Sequence, residues 1–407
     1  MDLAPPPDDH PARVAVRAWL RDHPEPSARQ LAAAGYVAPH WPLPWGLEAD
    51  AVTQLVIDDE LRMAGVRRPS NPIGIGWAGP TILHAGSDAQ KERFLLPLLA
   101  GEEIWCQLFS EPGAGSDLAA LSTRAVRDGD EWVVSGQKVW TSFAHVAAWG
   151  ILLARTDPQA EKHRGISYFV CPMNAPGVTI RPIVDMTGDH AFNEVFLDAV
   201  RLSAEHLIGE PNGGWALAKV TLGNERVSLS GEGALWGQGP TAADLVDGIR
   251  RDGAVRDPVL RQEIARVWAE GEVLRLIRLR MVGAALAGRQ PGPEASVRKA
   301  LADDHGQRVM DLAMSLTGAR AMLSDTGPPV EADRARAGDG AAAEHSSAWS
   351  SMAWAKGYLF ARALTIGGGT AEVQRNIIAE RVLGLPHDMD VDVGSSWSVS
   401  RGAPGRI

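Results

Sequence analysis

The sequence predicts an α+β fold in which a helical segment, a β segment and a second helical segment follow one another along 407 residues. Up to about residue 105, apolar residues recur at three- and four-residue spacing, with Pro and Gly between the periodic stretches. From residue 106 the apolar spacing shifts towards two, which is typical of strands. After Gly213-Gly214 long periodic stretches return, which indicates an antiparallel helical bundle.

Local patterns place the individual elements. In the first segment we expect helices at residues 13–20, 27–34, 51–64 and 89–99. A hairpin is expected where the turn Asp128-Gly129-Asp130 separates the apolar runs 125–127 and 132–134. Further strands are expected at residues 138–140, 151–153, 166–170, 178–183 and 194–202. Helices of the last segment are expected at residues 215–231, 258–287, 294–316, 348–364 and 371–383.

Two stretches lack a periodic apolar face. Residues 324–347 are rich in Gly, Ala, Asp and Pro, which predicts a long mobile connection inside the bundle. The tail at 391–407 is expected to be loose.

Charge and cysteine content exclude several classes of protein. With 40 Lys and Arg against 50 Asp and Glu, the net charge is −10, and we expect binding neither to nucleic acid nor to an anionic membrane. The cysteines, Cys106 and Cys171, cannot form a disulfide framework, and the histidines show no spacing typical of a metal site. We expect no signal peptide and no membrane span, and therefore a cytoplasmic protein.

The segment LFSEPGAGSD, residues 108–117, lies where helical spacing gives way to strand spacing. Its glycines would let a ligand approach the backbone closely, and Ser110 and Ser116 add hydroxyl groups. An ordinary loop has the same composition, so both interpretations stay open. The segment is not a G-x-G-x-x-G fingerprint inside a βαβ unit, which excludes a nicotinamide Rossmann site.

Two other segments also allow a functional and a structural interpretation. In GQKVWTS, residues 136–142, the Trp and the two hydroxyl residues could flank a planar heterocycle, or form an ordinary strand with its Trp in the core. In GGGTAE, residues 367–372, Thr370 is a natural helix N-cap and Glu372 suits a first turn. The free N–H groups of that turn could bind a phosphate, or the helix could simply be capped.

A carboxylate in the helical stretch after Gly214 also stands out. Glu225 shares its helical face with small or apolar residues: Thr221, Leu222, Ser228 and Leu229. Burying a carboxylate on such a face is costly unless it is paired or used. Glu225 with Arg226 is therefore either a structural ion-pair element or part of a catalytic site.

In their order and spacing, these motifs resemble the acyl-CoA dehydrogenase family. After Trp105-Cys106, the matching motifs are FSEPGAGSD (109–117), SGQKVWTS (135–142), NEVFLDAVRL (193–202), LIGEPNGGW (207–215), NERV (224–227) and GGGTAEVQRNIIAERVLG (367–384). The resemblance extends from about residue 79 to 385. It implies an N-terminal helical domain (1–105), a β-barrel or β-sandwich domain (106–214), a C-terminal four-helix bundle (215–390) and a tail (391–407).

The resemblance also implies an activity and its parts. An FAD-dependent enzyme would oxidise the α,β-bond of an acyl-CoA or a related thioester and pass electrons to an electron-transfer flavoprotein. Residues lining the flavin would be Phe109, Ser110, Trp140, Thr141 and Ser142. Ser116 would contact the pantetheine arm of the substrate. In a homotetramer or homodimer, Thr370 and Glu372 would contact the FAD of a neighbouring subunit.

This sequence departs from the common family pattern at the catalytic base. Many members place a Glu just before Gly-Thr in the last motif, where this chain has Gly368. A branch resembling isovaleryl- and long-chain-acyl-CoA dehydrogenases places it one residue before an Arg on the first C-terminal helix. The resemblance therefore assigns the α-proton base to Glu225, and to Arg226 a substrate-positioning or structural role.

A second departure concerns the far end of FAD. The stretches at 251–257 and 315–320 lack the Arg with Phe-Gly and the Gln with Gly-Gly that contact its pyrophosphate and adenine in the family. This departure keeps open a second function, that of a non-catalytic partner subunit in a mixed oligomer. A flavin oxidase or monooxygenase on the same scaffold is a separate alternative.

Overall fold

The computed structural model describes residues 6–228, 234–236, 239–252, 257–286, 292–317, 354–387, 389 and 394–402. The chain divides into two compact units. The first comprises Met1–Asp185, Asp189–Asn224 and Met389–Ile407, and the second Met186–Gly188 and Glu225–Asp388. Helices, strands and helices follow one another as the sequence predicts, which confirms the α+β fold class.

The first unit begins with helices, most of which start at a side-chain cap. They are α1 (Pro11–Asp22), α2 (Ala28–Ala33), α3 (Ala51–Met63), α4 (Gly79–Ala85) and α5 (Asp88–Leu99), with a π-helical turn at Gly74–Ala78. Ser27 and Ser87 each form a capping box with the Gln three residues later, and Asp50 caps α3. The four predicted helices are confirmed. Helix α4 was missed because Gly and Pro residues interrupt its apolar period.

Strands of the first unit form one eight-stranded sheet in the order β6-β7-β3-β2-β4-β5-β8, with β1 paired to β4. The strands are β1 (Trp105–Leu108), β2 (Arg124–Asp128), β3 (Glu131–Lys138), β4 (Trp149–Arg155), β5 (Ile166–Pro172), β6 (Val178–Ile183), β7 (Phe192–Ser203) and β8 (Leu207–Ile208). Neighbours are antiparallel, except that β1 and β2 run parallel to β4.

The predicted hairpin is confirmed, because Gly129 (φ 64°) lies in the turn that joins β2 to β3. The predicted strand at residues 138–140 is wrong. Strand β3 ends at Lys138, and Trp140 has a left-handed backbone with φ 59°. Strands β1 and β8 were not predicted, because four and two residues are too short to show a period.

The central strands are buried on both faces. On β4, Ile151 and Leu153 pack in a core shared with the N-terminal helices, whereas Leu152 and Ala154 pack in a second core with residues of β3 and β7. Burial on both faces explains why β4 and β5 have continuous apolar runs and not a clean alternation.

The last helical segment spans the boundary between the units. It contains α6 (Gly214–Ser228), α7 (Ala242–Asp252), α8 (Pro258–Leu286), α9 (Ala295–Thr317), α10 (Trp354–Ala361) and α11 (Ala371–Ile377), with a π-helical turn at Ile378–Val382. The second unit has its own core, which includes Leu245, Val267, Val309, Met310 and Leu364. The helices predicted near α6, α8, α9 and α11 are confirmed, whereas α7 was missed. None of the described helices is both long and apolar enough to cross a membrane.

Parts of the predicted last segment lie outside the described residues. These parts are residues 229–231, 348–353 and the whole of the expected mobile connection at 324–347. Helix α10 is the described part of the helix predicted at residues 348–364. It ends at Ala361, three residues before the predicted end.

The described part of the tail is not loose. Trp397 donates its backbone N–H to the carbonyl of Ala160 at 2.9 Å, and its ring lies 4.8 Å from the Arg155 guanidinium. Residues Trp397–Gly402 form a short helix, α12. The prediction of a loose tail is therefore wrong for residues 394–402, because backbone N–H bonds to residues 158–161 and the contact of the Trp397 ring with Arg155 hold a segment that has no apolar period.

Candidate functional site

A buried ion pair joins the end of β1 to the end of β3. Lys138 is fully buried, and its Nζ lies 2.9 Å from Glu111 Oε1. The same ammonium donates to the backbone carbonyls of Phe109 (3.0 Å) and Leu153 (2.8 Å). All three N–H donors of the lysine thus have acceptors, which is the condition for burying a charge at tolerable cost.

The carboxylate of Glu111 is equally well satisfied. It accepts the backbone N–H groups of Ser122 (2.7 Å) and Thr123 (2.8 Å) and the Ser122 hydroxyl (2.8 Å). Burial opposes ionisation of Glu111, but the Lys138 ammonium and the bonds from Thr123 and Ser122 outweigh it and lower its pKa to about 2. Glu111 is therefore an anion at neutral pH and holds the loop instead of moving protons.

This ion pair brings the two central motifs side by side. The backbone N–H of Val139 donates to the carbonyl of Ser110 at 2.9 Å. Phe109 is buried and packs edge-to-face on Tyr168, with ring centroids 5.9 Å apart, whereas Ser110 is partly exposed. Of these two residues, Ser110 therefore presents its hydroxyl at the accessible edge.

The loop after Glu111 is open to solvent. A Cβ atom added at Gly113 or Gly115 would meet nothing within 4 Å, so the packing of this chain does not require glycine at either position. Ser116 is exposed, and the next residue, Asp117, forms an ion pair of 2.9 Å with Lys162. Space for a ligand to approach the backbone is therefore present, as the functional interpretation of this segment requires.

The segment after β3 turns its indole outwards. Trp140 is 59% exposed, which excludes the interpretation that it is a core residue. Thr141 is buried, and its Oγ1 has no hydrogen-bond partner in the described part of the chain, whereas Ser142 is partly exposed. Both Trp140 (φ 59°) and Phe143 (φ 61°) adopt the left-handed backbone conformation, which is uncommon for residues other than glycine.

Glu225 is buried on α6, with 7% of its surface exposed. One turn earlier, the fully buried Thr221 hydroxyl lies 2.8 Å from that of Thr81 and 3.1 Å from that of Tyr168. The helical face that carries Glu225 is thus anchored by polar contacts at Thr221. Arg226 follows in the helix, and its side chain lies outside the described residues.

The Gly-rich turn before α11 is shaped by close packing. Gly368 and Gly369 have φ values of 66° and 86°. A Cβ atom at Gly369 would lie 2.7 Å from the side-chain amide of Gln374, and one at Gly367 would lie 2.5 Å from the ring of Trp236. Gln374 is buried and donates to the carbonyls of Gly368 (3.2 Å) and Gly369 (3.1 Å).

The predicted cap of α11 is confirmed. Thr370 Oγ1 accepts the backbone N–H of Val373 at 3.3 Å. Glu372 is exposed in the first turn, where its own backbone N–H and then the Thr370 hydroxyl lower the pKa of its carboxyl. Binding of an FAD phosphate at this turn stays a prediction.

The structure thus brings together some of the predicted site residues. Those grouped at the adjoining ends of β1 and β3 are Phe109, Ser110, Trp140, Thr141 and Ser142, with Ser116 on the same loop. Glu225, Thr370 and Glu372 belong to the second unit. Of the stretches that depart from the family pattern, only residues 251, 252, 257 and 315–317 are described. No cluster of His, Cys, Asp and Glu in the described ranges could hold a metal ion.

Three residues that build this site were not predicted from the sequence: Glu111, Lys138 and Asn193, which bonds to the Trp140–Phe143 segment. One signal for Lys138 was present. It lies on the inward face of β3, four residues after the buried Val134, where an ammonium needs a buried carboxylate. Asn193 showed no comparable signal.

Three sequence profiles match consecutive parts of the chain. The profile for the acyl-CoA dehydrogenase N-terminal domain matches residues 9–102, that for the middle domain residues 106–200, and that for the C-terminal domain residues 212–383.

Two curated relatives are similar over most of the chain. Acyl-CoA dehydrogenase FadE34 of Mycobacterium tuberculosis is 42% identical over 388 residues, which cover 95% of this chain and 50% of that protein. Acyl-CoA dehydrogenase IpdE1 of the same organism is 39% identical, with 95% of this chain and 92% of that protein covered. The chain therefore spans about half the length of the first relative and nearly all of the second.

Solved structures of similar chains share the fold. The steroid ACAD Tcur3481-Tcur3483 matches with a TM-score of 0.72 and 29% identity, over 95% of this chain and 100% of that chain. A chain of the ChsE4-ChsE5 complex from Mycobacterium tuberculosis matches with a TM-score of 0.71 and 31% identity, over 95% and 100% respectively.

We expect Lys138→Met to lower the free energy of unfolding by about 3–5 kcal/mol, because it leaves the Glu111 carboxylate buried without its counter-ion. Urea denaturation measures the change. As a control, Lys162→Met removes the cation of the more exposed Asp117 pair and should cost less than about 1 kcal/mol. Similar small losses in both variants would contradict the structural role of the Lys138–Glu111 pair.

The same pair predicts a pH dependence. Because the pKa of Glu111 is lowered from 4.5 to about 2, its contribution to stability is fully present above pH 4.5 and is lost as pH falls towards 2. The stability difference between the wild type and Lys138→Met should therefore shrink on acidification.

Proposed function

The chain belongs to the acyl-CoA dehydrogenase family, whose members are FAD-dependent flavoproteins, and from this premise we propose that it oxidises the α,β-bond of an acyl-CoA or related acyl thioester. We propose Glu225 as the base that takes the α-proton. One observation carries this assignment: Glu225 is buried at the family's alternative base position, while Gly368 occupies the usual one.

The residues at the ends of β1 and β3 fit a bound flavin. Space is open above Gly113 and Gly115, the indole of Trp140 is exposed, and the buried Thr141 hydroxyl has a hydrogen bond to offer. When bound, FAD supplies the acceptor for the hydrogen that leaves the β-carbon with its electron pair.

Two groups of residues would hold the cofactor in this proposal. The first group lines the flavin from the chain's own β segment: Phe109, Ser110, Trp140, Thr141 and Ser142. Thr370 and Glu372 would serve the FAD of a neighbouring subunit. Glu372 is itself an anion, so it would contact hydroxyl or N–H groups of the cofactor and not its phosphates.

The burial of Glu225 suits its proposed role. Glu225 is only 7% exposed, and a carboxylate is one of the side chains that serve as a general base. The thioester carbonyl acidifies the α-proton, which Glu225 would take onto a carboxylate oxygen. We propose that Arg226, the next residue along α6, helps to orient the substrate or the helix end.

Ser116 is proposed to contact the pantetheine arm of the substrate. Its hydroxyl lies on the exposed loop that follows Glu111, and the Asp117–Lys162 ion pair holds the next residue. A hydroxyl can both donate to and accept from the amide groups of pantetheine.

An electron-transfer flavoprotein is the proposed electron acceptor. Direct reaction with oxygen, as in an oxidase or monooxygenase on the same scaffold, is the competing possibility. The buried carboxylate at position 225 favours α,β-oxidation over monooxygenation, since removal of an α-proton is the step for which a base is needed. An oxidase would need the same base and would differ in the acceptor that reoxidises the flavin.

The second candidate function is that of a partner subunit in a mixed oligomer. The relevant observation is that one similar structure is a ChsE4-ChsE5 complex, whose name indicates two different chains. The altered stretches at 251–257 and 315–320 support the same possibility, because an FAD site that is incomplete in one chain could be completed by another.

An exposed apolar face on α8 supports assembly in either case. The large exposed side chains on this helix are Val259, Trp268, Val273, Leu276 and Leu279. Beside them, between α8 and α9, a cavity of about 240 Å³ is lined by residues that include Leu274, Leu301 and His305. Clustered exposed apolar side chains are typical of a protein–protein interface. We propose a homotetramer or homodimer, with the mixed oligomer as the alternative.

For the substrate, we propose an acyl-CoA whose acyl group is attached to a ring system. Support comes from the similar structure named a steroid ACAD. We expect anaerobic bleaching of the bound flavin to be at least tenfold faster with a ring-bearing acyl-CoA than with straight-chain or simple branched acyl-CoAs. Faster bleaching by a short or long straight chain would contradict this substrate class.

Assembly is tested by light scattering on the purified, flavin-loaded chain. We expect at least a dimer, and we expect Leu276→Asp to shift it towards the monomer because a charge would be buried in the contact. Val126→Asp, at an equally exposed apolar position on β2, is the matched control and should leave the mass unchanged. A flavin-loaded wild-type monomer would overturn the homo-oligomer.

The catalytic assignment is tested by Glu225→Gln, which keeps the shape of the side chain and removes the basic oxygen. Flavin should stay bound, while its reduction by a confirmed substrate should slow by about 10²–10⁴-fold. Glu263→Gln, on the exposed surface of α8, is the control and should reduce flavin at the wild-type rate. Wild-type reduction by Glu225→Gln would place the base elsewhere.

Adding Gly368→Glu to that variant should restore little activity. The backbone at Gly368 has φ 66°, which a side-chain-bearing residue adopts only with strain. Full recovery would show that this turn accepts the family's usual base.

A further inference from the structure

The turn that presents Trp140 has a backbone shape that must be held from outside. Trp140 and Phe143 both lie in the left-handed region, at φ 59° and 61°. For residues with a Cβ atom this conformation is unfavourable, so it persists only where the surrounding structure over-determines it. The two residues bracket Thr141 and Ser142, so the whole four-residue turn depends on its neighbours.

The start of β7 supplies that support through Asn193. Thr141 and Asn193 exchange two backbone hydrogen bonds, each of 3.0 Å. Asn193 also donates its side-chain amide, through Nδ2, to the Thr141 carbonyl at 3.0 Å. This carbonyl thus accepts two hydrogen bonds from one residue, which fixes the plane of the peptide between Thr141 and Ser142.

The amide of Asn193 is itself held in one orientation. Its Nδ2 lies 3.2 Å from Nδ1 of His145, so both N–H groups have acceptors when His145 carries its proton on Nε2. Its Oδ1 is buried and has no partner in the described part of the chain. A flipped amide would set two oxygens against each other at Thr141. One acceptor of the Asn193 amide is therefore left unpaired, while its two donors bond to Thr141 in the turn and to His145 beyond it.

The neighbouring residue supports the other side of the turn. Phe192 meets the indole of Trp140 edge-to-face, with ring centroids 6.0 Å apart and an interplanar angle of 82°. Because Trp140 is largely exposed, its rotamer depends on few contacts, and this one is favourable in geometry. Consecutive residues of β7 thus fix the peptide and the ring of the same turn.

We propose that Phe192 and Asn193 are positioning residues that hold the turn 140–143 in the shape that receives the flavin. The inference rests on the proposed function only in taking Trp140, Thr141 and Ser142 to contact the isoalloxazine. It gives a role to the start of the NEVFLDAVRL motif, which the proposed function leaves without one. An effect on FAD binding follows, because a turn that is not preorganised must be ordered when the cofactor binds.

Asn193→Leu is the decisive variant. Leucine has a volume similar to that of asparagine, and it lacks both amide donors and the unpaired oxygen. The Thr141 carbonyl still accepts the hydrogen bond from the backbone N–H of residue 193, so the protein should fold. We expect FAD to bind the full-length apoprotein about tenfold more weakly, as for the loss of one good buried hydrogen bond, and the visible circular dichroism of bound flavin to change.

Gln137→Leu is the matched control. The Gln137 side chain donates to Glu194 Oε1 at 3.1 Å. This variant therefore also breaks a side-chain hydrogen bond between β3 and β7, at the residue of β7 that follows Asn193. It should leave the FAD dissociation constant within twofold of the wild type. Equal FAD affinity and an unchanged flavin spectrum in Asn193→Leu, or the same weakening in Gln137→Leu, would overturn the proposal.

Two further variants complete the test. If Asn193→Leu does not fold, Phe192→Leu replaces it in the test, because it removes only the ring contact with Trp140. It should alter the flavin spectrum, and an unchanged spectrum would overturn the proposal. Trp140→Leu separates the inference from the proposed function. If it leaves the flavin spectrum unchanged, the turn does not contact flavin. The flavin contact of the proposed function and the positioning role of Phe192 and Asn193 then both fail. If it changes the spectrum while Asn193→Leu does not, the positioning role alone fails.

Discussion

The ammonium of Lys138 lies where no water reaches it, so the protein itself has to balance its charge. Glu111 does so from the loop after β1, and the remaining donors of the lysine bind the carbonyls of Phe109 and Leu153. One buried cation therefore ties together β1, β3 and β4. Because an unpaired buried charge is so costly, this arrangement has few alternatives, and the accessible edge at Ser110 and Val139 is rigid as a consequence.

After Val139 the chain forms the turn 140–143, whose backbone conformation is unfavourable for residues other than glycine. The left-handed residues Trp140 and Phe143 turn the indole outwards, and Asn193 holds the peptide between them. The buried ion pair fixes where the turn begins, and β7 fixes how it bends. On α6, the Thr221 hydroxyl contacts those of Thr81 and Tyr168 one helical turn before Glu225. Lys138 on β3, Asn193 on β7 and Thr221 on α6 thus make the buried polar contacts, and regular elements of this kind hold geometry better than loops do.

Structural features that depend on residues close together in the sequence could be predicted. The β2–β3 hairpin, the caps at Ser87 and Thr370 and the long helices depend on residues within a few positions of one another. The burial of Glu225 followed from the residues on its helical face. Pairings between distant residues could not be predicted in this way, because no local period records them: Lys138 lies 27 residues from Glu111, and Asn193 lies 52 from Thr141. The predictions of a strand at residues 138–140 and of a loose tail were wrong for the same reason.

The central claim is that Glu225 removes the α-proton of a thioester. Hydrogen exchange tests it without any need for turnover. An acyl-CoA analogue with sulfur in place of the β-carbon has an acidic α-position but no β-hydrogen to transfer, so in D₂O its α-hydrogens exchange only through the base. The account predicts that the flavin-loaded wild type catalyses this exchange, followed by NMR, and that Glu225→Gln with the analogue bound does not. Equal exchange rates in both proteins would contradict it.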